Sequence, residues 1–79
     1  MSVALVGAGP GDPELITVRG LARVRAADVL VYDRLVAPQL VDEAPAAALR
    51  IARDDLSQAE VNRTLIEHGR RSVVVRLKG

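Results

Sequence analysis

Asp33 ends the apolar run Val29-Leu-Val-Tyr32 and is followed at once by Arg34, so a carboxylate and a guanidinium stand at the end of a candidate strand. A carboxylate so placed can accept a proton from a reacting group, or it can simply end the strand and cap the next segment. The arginine can pair with a carboxylate-bearing ligand through two parallel hydrogen bonds, or stand as a solvated charge. The second chemical feature is Gly7-Ala-Gly-Pro-Gly-Asp12, whose glycines let a ligand approach the backbone. A dinucleotide fingerprint G-x-G-x-x-G needs glycine at position 12, where Asp12 stands, and the G-K-[ST] of a Walker loop is absent. Pro10 removes an amide that a phosphate would want, and Asp12 adds a negative charge. A cationic or zwitterionic ligand therefore fits better than a phosphate. Elsewhere, Asp54 and Asp55 read as a solvated turn, His68 as a helix-end dipole partner, and Tyr32 as core packing.

The elements that must position these residues alternate in period. Val3 to Ala8 reads as a buried strand, and Pro10 and Pro13 hold the following loop out of strand and helix. Asp12 and Thr17 are candidate caps, and Val18, Leu21 and Val24 recur at helical spacing, which predicts a helix over about residues 17–26. Val29 to Tyr32 is a second strand, Pro38 to Glu43 at most a short helix, and Leu49 to Ala52 a weaker third strand. Ser57-Gln-Ala-Glu60 matches a capping box; the helix it opens carries Val61, Leu65 and Ile66 on one face and ends near Gly69. Ser72 to Leu77 is the fourth strand. Strands alternating with helices predict an α/β fold, a parallel sheet with flanking helices. All carboxyl ends then lie on one side, and the loop Gly7 to Asp12, Asp33, Asp54-Asp55 and Gly79 share a rim.

Composition limits the possibilities. The 79 residues include no Phe, Trp or Cys and one Tyr, so the core is built of Val, Leu, Ile and Ala. The absence of cysteine excludes disulfides and thiolate chemistry, and a single histidine argues against a histidine-ligated metal. A net charge of +1 gives no electrostatic footprint for nucleic acid or an anionic membrane. No apolar run approaches the roughly 18 residues of a membrane span, so a soluble, cytoplasmic protein is expected. Ten of the eleven basic residues are Arg, which suits carboxylate-bearing ligands. A parallel sheet needs both faces covered; three modest helices hardly suffice, and the chain reads as the amino-terminal piece of a larger protein.

Gly7-Ala-Gly-Pro-Gly-Asp-Pro-Glu-Leu-Ile-Thr17, Ala27-Asp-Val-Leu-Val-Tyr-Asp-Arg-Leu-Val36, Gln58-Ala-Glu-Val-Asn62 and Val75-Arg-Leu-Lys-Gly79 together resemble the tetrapyrrole methylases. The resemblance runs over essentially the whole chain, with four blocks in order. It implies a two-domain α/β methyltransferase, of which residues 1–79 form the incomplete first domain, inactive alone. It further implies S-adenosylmethionine as methyl donor, a tetrapyrrole substrate with carboxylate side chains, and a homodimer. The implied reaction adds two methyl groups to ring carbons of uroporphyrinogen III, giving precorrin-2 for sirohaem and cobalamin synthesis. Carried over by position, Pro10 with Gly11 and the backbone of Gly79 contact the cofactor, and Asp33 is the proton acceptor. Arg34 is the candidate for a substrate carboxylate. The family usually has a G-K-R stretch after the third strand, whose lysine is its proposed proton donor; here Arg50-Ile-Ala-Arg-Asp-Asp-Leu-Ser57 is several residues short and has no lysine. Two other readings stay open: a precorrin or diphthine-type methylase on the same fold, and a non-catalytic half-domain used for association.

Overall fold

The computed structural model describes residues 2–69 and 73–79; Ser72 and the side chains of Asp55 and His68 lie outside the described residues. Strand β1 (Ser2–Gly7) leads through a 3-10 turn (Pro13–Leu15) into α1 (Val18–Arg25) and β2 (Val29–Tyr32). Helix α2 (Pro38–Asp42), β3 (Leu49–Ala52), a 3-10 turn (Arg53–Asp55), α3 (Gln58–Gly69) and β4 (Val73–Lys78) follow.

The caps explain the boundaries. Both candidates before α1 are used: the Asp12 carboxylate accepts from Glu14 N at 2.9 Å to start the 3-10 turn, and Thr17 Oγ1 accepts from Gly20 N at 2.9 Å to start α1. The capping box at α3 forms in both directions, Glu60 N to Ser57 Oγ at 3.2 Å and Ser57 N to Glu60 Oε1 at 3.1 Å. Its apolar face is narrower than the sequence pattern: Val61 is buried, Leu65 half-buried, and Ile66 59% exposed.

The four strands form one parallel sheet in the order β1-β4-β2-β3. The last strand thus inserts between the first two, making both β2 and β4 central. Their side chains alternate between two cores. Leu30, Val75 and Leu77 pack with Val24 of α1 and Leu40 of α2 on one face, while Val29, Val31 and Val74 pack with Leu65 of α3 on the other. Full burial of branched aliphatics such as these stabilises by roughly 1.5–3 kcal/mol each, before entropy is counted.

Two aspartates bracket β2 and hold β4 at both ends. At the amino edge Asp28 Oδ2 accepts from Val73 N at 2.7 Å; at the carboxyl edge Asp33 Oδ2 accepts from Gly79 N at 3.0 Å. The register between them, Val29 opposite Val74 through Tyr32 opposite Leu77, is pinned from both directions.

Candidate functional site

The carboxyl edge of the sheet gathers the residues expected there. Gly7 and Lys78 end β1 and β4 side by side, Tyr32 lies opposite Leu77, and Ala52 ends β3 next to it. The loop after β1 is shaped by Gly9 and Gly11, both with positive φ, at +73° and +74°. At Gly9 a Cβ would also fall 2.7 Å from Leu15 Cδ1, so the loop folds back tightly onto the 3-10 turn. Ala8 N donates to Lys78 O at 2.7 Å, which ties the loop's base to β4, and Gly11 N donates to Leu35 O at 2.9 Å, which ties its tip to the segment after β2.

Asp33 sits where these segments meet. Its Oδ1 accepts from Leu35 N at 3.1 Å and from Gly79 N at 3.2 Å, and its Oδ2 accepts the Gly79 amide at 3.0 Å. Arg76 Nη1 stands 3.9 Å from Oδ2 and donates to Leu77 O at 2.8 Å. Of the ion pairs among the described residues, this one is shielded: the two side chains are 13% and 16% exposed, against 58% and 40% for Arg25–Glu43. Shielding from solvent is what lets such a pair act more strongly than a surface one.

Arg34 takes a different position. Its side chain is 85% exposed and reaches Asp54 at 3.9 Å, a weak surface pair. It nevertheless lines a groove of about 410 Å³ with Asp33, Arg53, Asp54, Arg76 and Lys78. Four cations around two carboxylates make this groove suited to a ligand carrying several carboxylates. Gly11, Asp33 and Gly79 are thus linked by hydrogen bonds through Leu35, with Pro10 beside Gly11 in the loop and Arg34 on the flank.

Three groove residues carried no role in the sequence reading: Arg53, Arg76 and Lys78. Arg76 had a readable signal, a lone charge inside the apolar strand Val73-Val-Val-Arg-Leu77. Strand alternation puts it on the α3 face with Val74, where a charge needs a partner. In the lysine-free stretch Arg50 to Ser57, Arg50 lies within β3 and is committed elsewhere: its guanidinium donates to the carbonyl oxygens of Val41, Ala44, Pro45 and Ala48 at 2.8–3.3 Å. Arg53 is the cation of that stretch that reaches the groove, bonding Gln58 Oε1 at 3.0 Å.

Residues 2–79 match the family model of the Tetrapyrrole (Corrin/Porphyrin) Methylases. The chain is 45% identical over 84 residues to uroporphyrinogen-III C-methyltransferase of Methanocaldococcus jannaschii, covering 98% of itself and 35% of that protein. It is 51% identical over 86 residues to siroheme synthase of Hahella chejuensis, of which it covers 18%. It therefore spans about a third or less of these relatives' lengths. Among solved structures, a cobalt precorrin-4 methyltransferase superposes with a TM-score of 0.89 at 34% identity, covering 99% of this chain and 34% of that one. Uroporphyrin-III C-methyltransferase of Thermus thermophilus complexed with S-adenosylhomocysteine superposes at 0.76 with 40% identity, covering all of this chain and 32% of that one. On the family match and these likenesses, the chain belongs to the tetrapyrrole methylases.

Proposed function

We propose that this chain is the first-domain part of an S-adenosylmethionine-dependent methyltransferase that converts uroporphyrinogen III to precorrin-2. The observation that carries the reading is the rim itself: a glycine loop without a phosphate signature, joined through Leu35 to a shielded carboxylate that holds the Gly79 amide at one sheet edge. The residues fit the cofactor, because the loop offers backbone rather than side chains and the space where a Cβ would stand at Gly11 is open. Pro10, Gly11 and Gly79 would hold it, and when bound it supplies a methyl group on an electrophilic sulfonium.

The chain's own residues then have three tasks. The loop and Gly79 orient, and orientation accounts for much of the acceleration of a two-reactant transfer. Asp33 takes up the proton that the methylated ring carbon must lose; Oδ2 keeps a lone pair free beside the Gly79 bond. Arg34, Arg53 and Lys78 receive substrate carboxylates along the groove, and Arg34 has the exposure to swing towards one. The reading also carries a homodimer in the cytoplasm.

A second reading, methylation of a later precorrin, is favoured by the backbone likeness to the cobalt precorrin-4 enzyme. One assay separates the two. The protein at its natural length is given labelled S-adenosylmethionine with uroporphyrinogen III or with a precorrin. Label entering uroporphyrinogen III is the expected result; label entering only the precorrin makes the second reading correct. No calorimetric signal with S-adenosylhomocysteine would remove both.

A further inference from the structure

We propose that Asp33 is a positioning hub, whose carboxylate fixes the loop after β1 and the residue after β4 relative to each other. The hydrogen bonds form one continuous chain. Gly11 N donates to Leu35 O, Leu35 N donates to Asp33 Oδ1, and Gly79 N donates to both carboxylate oxygens. The ladder and the Ala8 N–Lys78 O bond hold the base of the loop to β4, and the path through Asp33 and Leu35 ties its tip at Gly11 to Gly79. Arg76 closes the arrangement from the α3 side at 3.9 Å.

A second, independent observation is the fit of Gly79. A Cβ built there would lie 2.6 Å from Leu35 Cβ, 2.8 Å from Asp33 Oδ1 and 3.0 Å from the Leu35 carbonyl carbon. The contacts include backbone, so a side chain at position 79 pushes the two segments apart. A carboxylate acting only as a proton acceptor would need neither this close approach nor three amide contacts. The Asp28 carboxylate makes the corresponding bond to Val73 N at the other edge, away from the candidate site residues named above. The same clamp serves register there and ligand geometry here.

What the rim binds rests on the function proposed above; the hub geometry does not. Two measurements on the protein at its natural length keep them apart. The first is amide hydrogen exchange in Asp33→Ala. Protection at Leu35 and Gly79 falls, and Gly11 follows through Leu35, while Leu30 and Val75 in the central strands keep theirs. The second is calorimetry with S-adenosylhomocysteine. Loss of one or two charge-assisted hydrogen bonds corresponds to a rise in Kd of about tenfold or more in Asp33→Ala. Gly79→Ala moves Kd the same way with the carboxylate intact.

Asp33→Asn is the isosteric control should the alanine variant fail to fold. Either orientation of its amide leaves Gly79 N facing a donor or sharing one oxygen, so Kd rises by less. Exchange lost at Leu35 alone with an unchanged Kd would overturn the hub and leave a simple turn cap. An unchanged Kd in Gly79→Ala would do the same. If the wild-type protein binds no S-adenosylhomocysteine, the methyltransferase reading fails and the exchange pattern alone decides the hub.

Discussion

Arg50 and Asp33 show how position in the fold assigns roles to side chains of plain chemistry. Arg50 points its planar fork at four carbonyl oxygens around the end of α2, where a helix end leaves acceptors without intrahelical donors. Arg50→Met is expected to destabilise the fold by about 2 kcal/mol, the scale of unsatisfied, partly buried polar groups. Arg50→Lys should recover less than half of that, because an ammonium lacks the fork; urea denaturation of the three proteins checks both. A lysine variant as stable as wild type would show that charge alone suffices. Asp33 differs from Arg50 in standing beside a groove, so under the proposed function one carboxylate would both hold backbone and meet substrate.

Helix α3 is the element whose start depends most on its own sequence. Its first turn carries the reciprocal Ser57–Glu60 bonds, and the Glu60 carboxyl is held below its ordinary value of 4.5, first by the Ser57 amide, then by the Ser57 hydroxyl. The sign follows from a lowered folded-state pKa. The stabilisation is present above the unfolded value and is lost as pH falls through the lower folded one. Stability of wild type relative to Glu60→Gln should therefore decline as pH falls below about 4.5 and be level above it, measured by denaturant midpoints. Ser57→Ala should cost about 1 kcal/mol, in the usual range for a lost cap. A parallel pH profile for wild type and Glu60→Gln would mean the box does not outlast solvent exposure. The α3 face is otherwise thin: Ile66 points largely into solvent, and the sheet beneath is covered over β2, β3 and β4.

Over the whole molecule that uneven cover leaves β1 open. Val3 and Leu5 sit on the α3 side of an edge strand that pairs only with β4, and Leu5 is 79% exposed. The strand Ser2-Val-Ala-Leu-Val-Gly7 has no charge or proline to discourage pairing with another chain. Residues 1–79 alone are expected to self-associate, with a light-scattering mass that rises with concentration. Leu5→Lys should lower that mass at every concentration; no change would place the association elsewhere. Among the described residues no helix is long and apolar enough to cross a membrane.

Much of this was legible in the residues because it is local. Apolar patterning and the turn residues between the runs pointed to four strands and to α1 and α3, with α2 read as at most a short helix between prolines. The caps Asp12, Thr17 and Ser57 with Glu60 are short-range chemistry between neighbours. The four ordered blocks pointed to the family that the comparison then showed. The strand order β1-β4-β2-β3 was not legible, since it depends on which apolar faces find each other across tens of residues. Nor was the pairing of Asp33 with Gly79, 46 positions apart, or the commitment of Arg50 to a helix end rather than to the groove. A sequence fixes which groups are near along the chain; only packing sets which donors and acceptors are left to meet when the sheet closes.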